Sequence, residues 1–242
     1  MRTPLLLLMM SLPVGAMAYH YGPGQSQLAL DDSQREINLA ADRVEKGDYR
    51  GAIEAYTEAL KSVPSTRADV QRQIRLERAK AQMQNRQLPE AYDELFALKQ
   101  ELDDASASSD AAFLTDFRKT LADAQYYMTW LQRLEGEPRE AWEADVEGAR
   151  QHYKLLASAA REAGDESTAK EREGDLEAAI RLARLDLSEL QALPLPKQCQ
   201  GCCTGTSQCK CNGKKPGQKP AEKKSEDARG ASAGPPPDGK GS

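Results

Sequence analysis

From residue 33 to residue 192 the apolar positions fall three and four residues apart, the spacing of helices that pack through one face. Ser33, with Glu36 three residues on, has the form of a capping box, and Ile37, Leu39, Ala40, Ala41 and Val44 follow it at helical spacing. A first helix is therefore expected over 33–46, with 19–32, which contains Gly22-Pro23-Gly24, as a loose lead-in. A turn at Gly47-Asp48 leads into a second amphipathic run that stops before Pro64. Thr66 with Asp69 opens a third run through Val70, Ile74, Leu76, Ala79, Ala81 and Met83 to a polar turn at Asn85-Arg86-Gln87. Pro89 suits the start of a fourth, which continues through Ala91, Tyr92, Leu95, Phe96, Leu98 and Leu102.

After a serine-rich break at 106–109, three longer helical patterns follow, over 111–134, 138–163 and 166–192. Their turns, Gly136-Glu137-Pro138 and Gly164-Asp165, reuse the chemistry of Gly47-Asp48: a glycine that ends one helix, then an acidic residue or proline that starts the next. Those two later glycines lie 28 residues apart, the length of one helix, so the long helices are expected to run up and down beside one another.

The stretch from Gly47 through Ala52, Ile53, Tyr56 and Ala59 to Leu60, with Ala40 before the turn, resembles one unit of the tetratricopeptide repeat family. In that family small residues stand where two antiparallel helices approach, and Ala40, Ala52 and Ala59 occupy those places here. Glu36 and Arg43 stand where the family usually carries an aromatic, which fits a terminal capping unit whose outer face meets water. Leu88-Pro89-Glu90-Ala91 resembles the turn of a second unit, at a spacing of 39 residues between Ala52 and Ala91. The fold class expected is all-α: tetratricopeptide-like hairpins over 33–102 that continue into long up-and-down helices over 103–198. The resemblance implies binding of a protein or peptide partner, as an adaptor or scaffold, and not catalysis.

Ahead of the helices, residues 1–18 combine Arg2, an apolar run from Leu5 to Leu12 and the small-x-small triplet Ala16-Met17-Ala18, the pattern of a cleaved secretory signal. The run is too short to span a bilayer, so an exported protein, periplasmic or extracellular, with no stable membrane span after cleavage is expected. Between residues 19 and 197 there are 24 basic against 34 acidic side chains, a balance that argues against nucleic acid as a partner. Ala, Leu, Glu, Arg and Gln dominate this body, the composition of long packed helices.

Candidate chemistry is sparse. The two histidines, His20 and His152, lie far apart in sequence, and no phosphate loop or HExxH is present, so no enzyme is expected. Tyr126, Tyr127, Trp130 and Trp142 flank the Gly136 turn as candidate partner-binding residues for an extended peptide, with core packing as the competing reading. Lys170-Glu171-Arg172-Glu173 reads as a solvated helix face. From residue 199 onward there is no aromatic residue and no Leu, Ile, Val or Met, so this basic tail is expected to be disordered. All five cysteines stand at its start: Cys199, Cys202, Cys203, Cys209 and Cys211. Two states compete for them. One is a thiolate site for zinc or copper in a metal- or thiol-handling protein. The other is a pair of disulfides with one thiol left over, free or joined to a second chain as a disulfide-linked dimer.

Overall fold

The computed structural model describes residues 23–104 and 110–199, with side chains from residue 30 on, and within them the fold is all-α. The signal-like segment, His20, the serine-rich 105–109 and the four cysteines from Cys202 on lie outside the described residues. Among the described residues eight α-helices follow one another: α1 Pro23–Glu45, α2 Tyr49–Ser62, α3 Ala68–Gln84, α4 Leu88–Asp104, α5 Ala111–Leu134, α6 Arg139–Glu162, α7 Glu166–Arg184 and α8 Leu187–Ala192. A 3-10 turn, Lys197–Cys199, closes the described chain. The chain forms two compact units, one ending at Ala81 and one beginning at Gln82.

In the first unit α1 and α2 form an antiparallel hairpin. Ala40, Ala52 and Ala59 are all fully buried, and Ala55, Tyr56, Val63 and Ile74 complete the core beside them. Gly47 takes φ +75°, the left-handed conformation that an L side chain resists, and its neighbour Asp48 donates its amide to the Arg43 carbonyl at 2.8 Å. Asp48 then caps α2, its carboxylate accepting from the Gly51 amide at 3.0 Å. Val63, extended ahead of Pro64, ends α2 as the restriction on a residue before proline requires.

Two expectations for this unit change. Residues 23–32 are helical and not a loose lead-in: α1 begins at Pro23, whose fixed φ is compatible with a first helical position. Ser33 is therefore an interior residue, its hydroxyl donating to the Leu30 carbonyl at 2.8 Å instead of capping an N-terminus. Arg43 does not simply meet water either. It is half-buried and reaches across the hairpin to donate to the Gly51 carbonyl at 2.6 Å.

In the second unit, α4 to α7 pack in sequence-adjacent pairs: α4 on α5, α5 on α6, and α6 on α7. Gly136 and Gly164 end α5 and α6 with φ +78° at both positions, and Asp165 caps α7 through the Thr168 amide at 3.0 Å. The expected helix over 166–192 is broken. α7 stops at Arg184, and Asp186 opens α8 with a full capping box, accepting from the Glu189 amide at 2.7 Å while Glu189 accepts from the Asp186 amide at 3.0 Å. Arg133 of α5 enforces the break by donating to the Leu182 and Leu185 carbonyls, which the end of α7 would otherwise leave unserved. Among the described residues no helix is long and apolar enough to cross a membrane.

Candidate functional site

α5 carries most of the chemistry of the second unit, because α4, α6, α8 and the C-terminal turn all meet it. A helix covered on so many sides must be apolar around most of its girth, and α5 buries Phe117, Leu121, Ala124, Tyr126, Tyr127, Trp130 and Leu131. The four candidate partner-binding aromatics are therefore core residues. Tyr126, Tyr127 and Trp130 are 2–5% exposed and Trp142 9%, so they do not line an open groove. Tyr126 and Tyr127 meet edge to face at 5.3 Å between ring centroids, and the Arg133 guanidinium stands 4.8 Å over the Trp142 ring. Burial pushes the Tyr126 hydroxyl up to about 12 and Tyr127 higher still.

Cys199 departs from the expectation of a tail that joins no core. It is fully buried, and its Sγ lies 3.5 Å from the Tyr127 carbonyl. Pro196 packs with it, and its carbonyl accepts from the Cys199 amide at 3.0 Å. Among the described residues no group of three or more His, Cys, Asp or Glu side chains stands where it could hold a metal ion.

Polar groups inside the unit form two sets. Toward α4, the Tyr92 hydroxyl donates to Asp145 Oδ1 at 2.7 Å, and burial holds the Asp145 carboxyl above its usual range against the lowering pull of Tyr92 and Gln125. The second set joins α5, α6 and α7. Asp123 accepts from Tyr153 at 2.9 Å and from Lys119, while Asp175 accepts from Arg172 at 2.6 Å and Arg172 also pairs with Glu171 at 2.6 Å. Arg172 is thus 7% exposed and turned inward, not on a solvated face. Its signal was present in the sequence: Ala169, Arg172, Asp175, Ala179 and Leu182 recur at the three- and four-residue spacing of a buried stripe. His152 on α6 is half-buried, and burial, followed by Arg118 and Lys99, holds its imidazole below the usual range. No nucleophile is hydrogen-bonded to it.

A groove of about 600 Å3 opens beside the second polar set. Ala112 of α5, Ala159 and Ala160 of α6 and Ala163 just past its end supply apolar walls, and Lys119 and Arg172 reach it from within. Both cations are engaged by Asp123 and Asp175, so the groove offers chiefly apolar area. No family model matches the chain, and neither curated proteins nor solved structures give a match.

Proposed function

We propose that the protein is an exported, tetratricopeptide-like adaptor that docks a protein or peptide partner and carries no catalysis of its own. The observation that carries this reading is the alanine-walled groove between α5, α6 and α7. Its volume lies within the range of sites that take a few side chains, and the two cations beside it, Lys119 and Arg172, are already paired with Asp123 and Asp175. A partner then gains by covering apolar surface and has no cation left to neutralise. The paired helices and their glycine turns support the tetratricopeptide-like build, and the signal-like residues 1–18 support export.

Site-specific photo-crosslinking in the native envelope fraction tests the adaptor reading. A crosslinking residue at Ala112 or Ala159 should give one discrete adduct, and Ala160→Arg, which fills the groove with a charged chain, should abolish it while leaving the helical signal intact. Equal labelling from the exposed Arg139 at the far end of α6, unaffected by Ala160→Arg, would remove the groove from consideration.

A further inference from the structure

The interior shared by α5, α6 and α7 holds more carboxylates than it can serve. Lys119 and Arg172 are its cations, and Asp123, Asp175 and Glu171 face them. Glu171 is 43% exposed and water screens it, whereas Asp123 is 16% exposed and Asp175 is wholly buried. Asp123 has both oxygens occupied, Oδ1 by the Tyr153 hydroxyl and Oδ2 by the Lys119 ammonium. Asp175 has only Oδ2 occupied, and its Oδ1 is buried with no hydrogen-bond partner. An ionised carboxylate in that position leaves a bare, desolvated oxygen beside a second carboxylate, whereas a neutral carboxyl does not.

We propose that a proton on Asp175 is a latch: with it bound, α7 is held against α5 and α6, and its release as the medium turns from mildly acidic to mildly alkaline loosens α7. α5 presents Lys119, Asp123, Tyr126 and Tyr127, α6 presents Tyr153, and α7 itself adds Glu171 and Arg172, with the Cys199 thiol against the two tyrosines. Of these, Arg172 and Lys119 draw the proton off, Asp123 and Glu171 hold it, and burial outweighs them all, so that the Asp175 carboxyl is pushed up to about 7.

The sign follows from linkage. The unfolded chain releases this proton near 3.8, the folded chain near 7, so between those values the folded state binds more protons and stability falls as pH rises. Above the folded value both states are ionised and the loss is complete. The latch stands whether or not a partner docks in the groove.

The test compares unfolding of the full mature chain and of Asp175→Asn in denaturant from pH 5 to pH 8. Asn keeps the size and an oxygen for Arg172 but cannot ionise. The folding equilibrium of the parent should weaken relative to the variant by on the order of tenfold to a hundredfold across that range. Taking the difference cancels His152 and Asp145, which are present in both chains. Parallel curves would overturn the latch. Should the variant fail to fold, carboxyl-carbon NMR of the parent decides instead: an Asp175 inflection close to 7 supports the proposal, and one below 5 overturns it.

Discussion

A methyl group on Gly51 would stand 2.2 Å from Asp48 Oδ2, closer than real carbon contacts allow, and 3.0 Å from Arg43 Cδ, a tight contact. The glycine is there so that the capping carboxylate and the crossing arginine can both reach the first turn of α2. Gly51→Ala brings two opposed effects: better helix propensity, worth up to about 1 kcal/mol, and displacement of the Asp48 cap, which costs about 0.5–2 kcal/mol. The clash is with the cap itself and Arg43 closes the other side, so the loss should win, and a lower thermal midpoint is expected. In an Asp48→Ala background the same change should cost less, and a double-mutant cycle by thermal unfolding measures the difference. Arg133 is the corresponding residue in the second unit. Arg133→Met keeps an unbranched apolar chain at the position but removes the donors to Leu182 and Leu185 and the cation over Trp142, with an expected loss of about 1–3 kcal/mol in chemical denaturation.

At the scale of elements, the turns were legible in the sequence and the last helix was not. α5 spans Ala111–Leu134, the run that the apolar periodicity marks out, because a long amphipathic stretch bounded by a break and a glycine leaves little freedom in its ends. The division between α7 and α8 had a local signal, Asp186 with Glu189, but the periodicity of 166–192 continues across it. Arg133, 49 residues away from Leu182, decides that the chain turns there. The C-terminal turn is a similar case. The first cysteine after Pro194-Leu195-Pro196 carries no helical or strand pattern, yet it fills a site against Tyr127. A chain ending at Lys197 should accordingly melt lower than the full mature chain, by the about 1–2 kcal/mol expected of losing a small buried side chain and uncovering its neighbours. Cys199→Ser should cost less, because a hydroxyl of similar size can donate to the Tyr127 carbonyl. Scanning calorimetry of the three chains ranks them, and an unchanged midpoint on truncation would show that Cys199 adds nothing to the fold.

For the molecule as a whole, the half-buried His152 and the buried Asp175 pull the pH dependence in opposite directions. His152 is held below its usual value, so the unfolded chain takes up its proton first as the pH falls through about 6.5, and stability drops on the acid side. Asp175 acts the other way, lowering stability as the pH rises toward 7. In an Asp175→Asn background the acid limb of His152 should be exposed, and His152→Gln should flatten it in a pH series of urea unfolding curves.

By itself the sequence determined the all-α class, the positions of the glycine turns and the small residues at the α1–α2 crossing. These depend on neighbours within a few residues: φ at Gly47, Gly136 and Gly164, caps at Asp48 and Asp165, and helical spacing of apolar side chains. Tertiary structure alone decided which faces are inside. Tyr126, Tyr127, Trp130 and Trp142 fit a wet groove and a dry core equally well as a pattern, and Arg172 fits a solvated face, until α5 and α7 are covered by their neighbours. The physical reason is that burial is set by contacts distant in sequence, such as Tyr92 with Asp145, Tyr153 with Asp123 and Cys199 with Tyr127, while helical periodicity reports only the local chain.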